Sequence, residues 1–206
     1  KLPFVDVFCE TGAFDINQTK QIFDAARKLG FKLKVHADEF DNLGGASLAV
    51  DYKAISADHL VVTSSDDISS LGTSNTVAVA LPGTPFVLGH SEYTPAKKIL
   101  EADGILAIAS DLNPGTTWCE NMQMPIALAC RFMKLTPAQA IVAATLNAAA
   151  AIDRDRDIGS IEVGKNADLL MLSVVDYRQL GYQYGTNLVK TVVKNGKVIS
   201  FNEDIN

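Results

Sequence analysis

Short apolar segments alternate with amphipathic ones through roughly the first 150 residues of this 206-residue chain. Short apolar runs predict strands at residues 2–9, 31–35, 57–62, 76–81 and 105–110. Helices are predicted between and after them, at residues 17–29, 45–52, 66–71, 94–104 and 138–152. Strands that alternate with helices are typical of a parallel sheet with right-handed crossovers. The chain is therefore expected to contain about five βα units of an α/β fold.

Capping residues mark the starts of three of these helices. Asn17 is expected to cap the first helix, and Thr94 and Thr136, each followed by a proline, are expected to cap two later ones. Gly30 is expected to end the first helix. The predicted inward face of that helix comprises Ile22, Phe23, Ala26 and Leu29.

Beyond about residue 157 the pattern changes to short strands punctuated by glycines. These strands are predicted at residues 159–163, 167–172 and 189–199. A hairpin turn is expected at Asn195-Gly196, because an Asn-Gly pair between β-branched runs is a strong hairpin signal. We therefore expect a small β unit over residues 157–206, after an α/β unit over residues 1–156.

Acidic and histidine side chains come at the ends of three predicted strands. The apolar run that opens residues 106–116 ends at Asp111, where an unpaired buried carboxylate would be costly unless it has a partner. His36 and Glu39 follow a second strand, and His59 ends a third. In a parallel barrel, metals and substrates bind at the carboxyl ends of the strands. These residues therefore predict a hydrolytic metal centre, with His36 and Asp111 as ligands and His59 as a third candidate.

Simpler interpretations of some of these residues stay open at the level of sequence. The acids of residues 36–39 precede a helix, where they would favour its dipole. Asp58 would hold the tautomer of His59, and His59 itself would be either a hydrogen-bonded core histidine or a general acid–base group. His90 has the surroundings of a solvated loop histidine, and the spacing assigns no role to Glu10.

The charge balance and the cysteines exclude several classes of partner. The net charge is −6 and no cluster of Lys and Arg stands out, so a nucleic-acid partner is not expected. No apolar run approaches the roughly 18 residues of a membrane span, and no secretory signal is recognisable. Three cysteines without paired spacing are expected to be free thiols in a reducing cytoplasm.

Several motifs together resemble one enzyme family. They are D-V-F-C-E-T-G-A-F at residues 6–14, H-A-D-E-F at 36–40, S-A-D-H-L at 56–60, S-D-L-N-P-G-T at 110–116, L-T-P-A-Q-A at 135–140, and the tail motifs at 159–169 and 193–199. The tail motifs are shared with amidohydrolases generally, whereas the second and fourth are more specific. The chain resembles the C-terminal half of the imidazolonepropionase family, which consists of cyclic amidohydrolases of histidine degradation.

The resemblance implies a (β/α)₈ TIM barrel of the metal-dependent amidohydrolase type with a small β-sandwich. Residues 1–156 would hold about barrel strands four to eight, and residues 157–206 the C-terminal portion of the β-sandwich. The chain lacks an initiator Met and begins inside a strand pattern, so it is expected to be the interior of a longer protein. The family's first-strand His-x-His metal pair would belong to the preceding half.

The resemblance also implies roles for single residues. His36 and Asp111 match metal ligands, and Glu39 and His59 match catalytic residues. Glu39 would also contact substrate, and either Glu39 or Asp111 would accept a proton from water. The implied substrate contacts in the following loop are Asn113, Gly115 and Thr116.

The implied reaction is the hydrolysis of 4-imidazolone-5-propanoate to N-formimino-L-glutamate, with one Zn²⁺ or Fe³⁺ per site. His and Asp ligands suit both metals. The family resemblance further implies a homodimer. Two other functions stay open: another cyclic amidohydrolase or aminohydrolase, such as a deaminase on the same barrel, and a catalytically incomplete piece that needs its N-terminal half.

Overall fold

Five parallel strands form the larger of two sheets in the computed structural model, which describes residues 3–201. The strands are hydrogen-bonded in sequence order, and every neighbouring pair is parallel. They are β1 (Phe4–Cys9), β2 (Lys32–Ala37), β3 (Ser56–His59), β4 (Val77–Ala80) and β5 (Leu106–Ile108). The predicted βα alternation is confirmed; Leu2, predicted as part of the first strand, lies outside the described residues.

Eight α-helices connect and follow these strands within residues 3–201. They are α1 (Ile16–Lys28), α2 (Gly45–Asp51), α3 (Ser65–Gly72), α4 (Gly83–Leu88), α5 (Ala96–Glu101), α6 (Gln123–Phe132), α7 (Pro137–Ala144) and α8 (Leu146–Ala151). Helices α4 and α6 were not predicted. The helix predicted at residues 138–152 is two helices, because the backbone at Thr145 leaves the helical region.

Two of the predicted caps are wrong, and one is confirmed. Asp15, not Asn17, caps α1, where its carboxylate accepts hydrogen bonds from the amides of residues 17 and 18. Thr94 does not cap α5; its hydroxyl instead donates to the carbonyl oxygen of His59. Thr136 caps α7 as predicted, in a reciprocal capping box with Gln139. On the inward face of α1, Phe23 is fully buried, but Leu29 is 69% exposed.

The two faces of the large sheet differ in chemistry. One face carries small and apolar side chains, among them Val35 and Ala57, and packs against the helices in the main core. The other face carries Asp6, Lys34, His36 and Asp58 on β1 to β3, because the parallel register aligns these alternate positions across the strands. Helix α8 contacts the apolar β4 and β5 portion of this second face. The functional candidates therefore lie on β1 to β3 and beyond the carboxyl end of β5.

A smaller antiparallel sheet follows the last helix. Its strands are β6 (Leu169–Leu172), β7 (Val189–Lys194) and β8 (Lys197–Phe201). A short 3-10 helix over Tyr177–Gly181 lies between β6 and β7. The predicted hairpin is confirmed, since Asn195 and Gly196 have φ values of 49° and 74° between β7 and β8. The strand predicted at 159–163 is wrong: this segment forms turns. Within residues 3–201, no helix has the length and apolar character that a membrane crossing requires.

Candidate metal centre

His36, His59 and Asp111 meet at the carboxyl-terminal edge of the parallel sheet. His36 lies in β2, His59 ends β3, and Asp111 follows β5 by three residues. One ligand atom from each of the three side chains lies within 4.8 Å of the other two. Residues from three separated segments are thus brought together as predicted.

The backbone at the end of β3 directs His59 toward this cluster. In the register of the sheet His59 is opposite Ala37, whose side chain belongs to the helix-covered face. Positive φ values at His59 and Leu60, 78° and 57°, turn the chain out of the strand geometry. The imidazole then lies with its centroid 5.3 Å from that of His36. Simple strand alternation would not have predicted this orientation.

Asp58 does not orient His59, contrary to one interpretation of the sequence. Its carboxylate accepts a hydrogen bond from the Ser56 hydroxyl at 2.6 Å and pairs with the Lys34 ammonium at 3.3 Å. Burial raises the pKa of Asp58, although the charge of Lys34 opposes that rise. Asp58 therefore belongs to a buried polar group beneath the centre.

Asp6 orients His36 from the neighbouring strand. Its carboxylate oxygen Oδ1 lies 2.9 Å from Nδ1 of His36. Burial lowers the pKa of His36, but the hydrogen bond and charge of Asp6 outweigh it, so the pKa is raised overall. An Nδ1–H held by a carboxylate leaves Nε2 for a ligand, which is the usual arrangement around metal-binding histidines. Asp6 was not predicted as a site residue, although it stands out as an acid in an apolar strand.

Glu39 lies beside His59 and is nearly buried. Its Oε1 is 3.6 Å from Nδ1 of His59, and its side chain is 10% exposed. Burial, followed by the charge of Asp111, raises the pKa of Glu39 to about 7, against the opposing influence of His36. Burial, followed by the charge of His36, lowers the pKa of His59 to about 4. Glu39 can therefore exchange a proton near neutral pH beside a neutral imidazole.

Threonine hydroxyls hold Asp111 in place. The Thr84 hydroxyl donates to Oδ2 of Asp111 at 2.5 Å and is 3.1 Å from the Thr117 hydroxyl. Asp111 itself has a φ of 54°, so the chain turns sharply where the apolar strand has ended. Thr84 was missed because it lies in α4, a helix that the sequence pattern did not reveal.

The loop after Asp111 is organised by the side chain of Asn113. Its Oδ1 accepts hydrogen bonds from the amides of Gly115 and Thr116, both at 2.8 Å. Its Nδ2 donates to the carbonyl oxygen of Asp111 at 2.8 Å. Two of the backbone amides in this loop therefore already have an acceptor within the loop. The roles of Asn113, Gly115 and Thr116 in binding stay predictions.

The two residues without an assigned role lie in different surroundings. His90 is exposed, and its ring makes an edge contact with Phe40 at a centroid distance of 6.1 Å. Glu10 is 2% exposed at the end of β1 and accepts hydrogen bonds from backbone amides of the loop that contains Glu39. Within residues 3–201, neither belongs to a group of ligand atoms close enough to hold a metal.

The donor set fits a metal ion. Nδ1 of His59 is buried and has no hydrogen-bond partner among the described residues. Two imidazoles and a carboxylate that converge within 4.8 Å are the nitrogen and oxygen donors that catalytic zinc and non-haem iron sites use. A buried imidazole nitrogen without a partner is costly unless a ligand fills the gap.

Comparisons with known proteins agree with this architecture. The sequence profile of the amidohydrolase family matches residues 13–199 of this chain. An imidazolonepropionase from Herpetosiphon aurantiacus is 52% identical over 198 residues, which are 96% of this chain and 46% of that protein. An imidazolonepropionase from Alkaliphilus oremlandii is 47% identical over 95% of this chain and 46% of its own length. The chain thus spans about half the length of the curated relatives it matches.

Solved structures share the fold at low sequence identity. An adenosine deaminase from Xanthomonas campestris with bound zinc has a TM-score of 0.75 at 22% identity, over 91% of this chain and 49% of its own. The guanine deaminase of E. coli has a TM-score of 0.73 at 17% identity, over 93% of this chain and 53% of its own. At these identities the likeness concerns the fold alone.

Proposed function

Because this chain belongs to the amidohydrolase family, we propose that it forms part of a metal-dependent imidazolonepropionase. The proposed reaction is hydrolysis of 4-imidazolone-5-propanoate to N-formimino-L-glutamate, a step of histidine degradation. The observation that carries the proposal is the convergence of two imidazoles and one carboxylate within 4.8 Å at the edge of an amidohydrolase sheet. The high identity to imidazolonepropionases over nearly the whole chain supports this substrate over others.

In the proposed site His36 and Asp111 hold the metal, and His59 lies close enough to share it or to act beside it. A bound Zn²⁺ or Fe³⁺ would supply Lewis acidity and lower the pKa of water toward roughly 7. Asp6 keeps the His36 ring in one orientation, and Thr84 does the same for the Asp111 carboxylate. These contacts fix the ligands before substrate arrives, which favours catalysis because little rearrangement is then needed.

Glu39 moves the proton in this proposal. The water oxygen forms a bond to the ring carbonyl carbon, and the bond from that carbon to the ring nitrogen breaks. Glu39 accepts one water proton and passes it to the departing nitrogen, while the other proton leaves as the new carboxylic acid ionises. A carboxyl group with a pKa near 7 suits both halves of this transfer, because it accepts and releases a proton with similar ease at neutral pH.

His59 stabilises the negative charge that develops on the carbonyl oxygen. It is neutral at neutral pH, so it acts as a hydrogen-bond donor rather than as a cation. Asn113, Gly115 and Thr116 would contact the imidazolone ring. In that case Asn113 must exchange its hydrogen bonds to the two loop amides for bonds to the substrate.

The remaining parts of the proposal come from sequence and similarity. We propose one metal ion per site, a homodimer in the cytoplasm, and no nucleic-acid partner. Residues 1–156 would belong to the barrel and residues 157–206 to the small β domain. The change from parallel to antiparallel strands after α8 supports a boundary in this region.

The decisive experiment is a substrate comparison on the complete gene product that contains this chain. We expect turnover of 4-imidazolone-5-propanoate and no deamination of adenosine or guanine. The Asp111→Ala variant should lose metal and turnover together, because it removes the carboxylate that converges with His36 and His59. Deamination without imidazolone turnover would favour the deaminase alternative, and normal turnover with retained metal in Asp111→Ala would disprove the assignment of this site.

A further inference from the structure

A buried carboxylate at the end of β1 is bound by four backbone amides. Oε1 of Glu10 accepts from the amides of Thr11 and Asp41, both at 3.0 Å. Oε2 accepts from the amides of Glu39 at 3.1 Å and Phe40 at 3.0 Å. Three of these donors are consecutive residues of the loop that follows β2. Glu10 thus fills an anion-binding turn of its own chain.

We propose that Glu10 is a positioning residue that holds the carboxyl group of Glu39 beside His59. The inference rests on the proposed function, because it acts through the proton transfer assigned to Glu39. It extends that proposal to a residue at the end of β1, which is bonded to the backbone of Glu39 and is not one of the proposed metal ligands.

The local backbone explains why three consecutive amides need an acceptor. Asp38 has a φ of 54°, which turns the chain as it leaves β2. Successive amides after such a turn point the same way and form a concave group of donors, which anions bind. Without an acceptor, these amides would compete for other partners and the loop would lose its fixed conformation. Glu10 supplies the acceptor from the adjacent strand.

The energetic balance of Glu10 also indicates a dedicated role. It is 2% exposed, and within residues 3–201 no Lys or Arg forms an ion pair with it. A buried carboxylate without a countercharge is costly, and hydrogen bonds to the charged form are what offset that cost here. Such a carboxylate in a loop that needed no fixed shape would only destabilise the fold.

The link from Glu10 to the site is short. Oε2 of Glu10 fixes the backbone amide of Glu39, and the side chain of Glu39 then brings Oε1 to 3.6 Å from Nδ1 of His59. A displacement of about 1 Å at a reacting group can cost on the order of 100-fold in rate. Loosening this loop is therefore expected to slow the chemistry without removing the metal ligands.

The first test measures the hydrogen bonds without relying on turnover. In Glu10→Gln one oxygen becomes an amide nitrogen, which cannot accept, so two of the four backbone amides lose their acceptor. Hydrogen exchange in the complete gene product should show faster exchange at residues 39–41 in this variant. Unchanged exchange there would overturn the proposal. The measurement stays decisive even if imidazolone is not the substrate, so it separates this inference from the proposed function.

The second test measures kinetics with a matched control. Glu10→Gln should lower kcat about 10- to 100-fold, with KM within about threefold and unchanged metal content. Glu10→Asp, which keeps two acceptor oxygens, should fall between wild type and Glu10→Gln. Asp15→Asn is the control, because the Asp15 carboxylate also accepts hydrogen bonds from two backbone amides, but from none of residues 39–41. Equal losses of kcat in Glu10→Gln and Asp15→Asn, or unchanged kcat in Glu10→Gln, would overturn the proposal.

Discussion

The two histidines of the candidate centre have their pKa values shifted in opposite directions. The carboxylate of Asp6 raises the pKa of His36 against the effect of burial, whereas burial and the charge of His36 lower the pKa of His59 to about 4. A histidine that binds a metal benefits from a carboxylate hydrogen-bonded to its other ring nitrogen. A histidine that donates a hydrogen bond as a neutral group must not be protonated, so the two roles need these different environments. Neighbouring side chains thus give two residues of the same type different environments, which suit the different roles proposed for them.

Asp6 is therefore expected to tune metal affinity. Asp6→Asn should weaken metal binding about 10- to 100-fold, because the amide holds the His36 ring less firmly and does not raise its basicity. Competition against a chelator of known affinity would measure this. Asp51→Asn, an exposed acid at the end of α2, is the control and should bind metal like wild type. Wild-type affinity in Asp6→Asn would show that Asp6 does not support the ligand.

Glu39 is expected to affect turnover and not metal content. Glu39→Gln should keep its metal and lose about 100- to 10,000-fold in kcat, because an amide cannot accept the proton from water. Steady-state kinetics together with elemental analysis would measure both quantities. Glu101→Gln, an exposed change in α5, serves as the control. Loss of metal in Glu39→Gln would make Glu39 a ligand instead of a proton carrier.

At the scale of elements, the sequence predicts the strand ends and helix caps that depend on short residue patterns. The strand ends that contribute His36 and Asp111 follow from short apolar runs, and the α7 cap follows from Thr136 and the proline after it. The orientation of His59 does not follow, because its positive φ depends on the packing around the end of β3. Helix α6 was missed because its sequence is apolar without a break from Met124 to Cys130 and therefore shows little helical periodicity.

The segment at 159–163 was predicted as a strand that the structure does not contain. Its alternating apolar residues predict a strand, yet Ile161 and Val163 are 87% and 108% exposed and pair with no strand within residues 3–201. Alternation indicates a strand only where a partner strand exists to pair with it. Likewise, the support that Glu10 and Asp6 give to the centre depends on which strands are neighbours, and composition alone does not show that.

Asp67 connects two elements and should make their stability depend on pH. Its carboxylate accepts hydrogen bonds from Asn42, Ser47 and Ser64, and so joins the start of α3 to α2 and the loop before it. Burial raises the pKa of Asp67, but these hydrogen bonds outweigh it, so the pKa lies below its usual value. The stabilisation is therefore complete above about pH 4, the usual pKa of an unfolded Asp, and is lost as pH falls through the folded pKa.

Asp67→Asn should remove this contribution. We expect the variant to be about 1.5–3 kcal/mol less stable at pH 7, with a smaller difference from wild type near pH 3. Urea unfolding at the two pH values would measure both. The adjacent Asp66→Asn is the control, because Asp66 is exposed in the same first turn of α3. A difference that stays constant between the two pH values would contradict this account of Asp67.

At the scale of the whole molecule, the candidate centre joins segments that are far apart in sequence. His36 belongs to β2 and Asp111 to the loop after β5, and strands β3 and β4 lie between β2 and β5 in the sheet. An ion held by both would bind the folded state and not the unfolded chain. Metal binding should therefore stabilise the whole sheet, and not only the loops around the ion.

This predicts a metal-dependent melting temperature. At a free zinc concentration of 100 times Kd the folded state should gain about 2.7 kcal/mol, which corresponds to a rise in Tm of roughly 3 °C for a protein about twice as long as this chain, like its relatives. Differential scanning calorimetry of the complete gene product, stripped with a chelator and then titrated with zinc, would measure the rise. Asp111→Asn should abolish it. Asp103→Asn should preserve it, because Asp103 also has a positive φ, of 64°, but is exposed and precedes β5, whereas Asp111 follows it. An equal rise in Tm for the two variants would mean that zinc stabilises the protein at some other site.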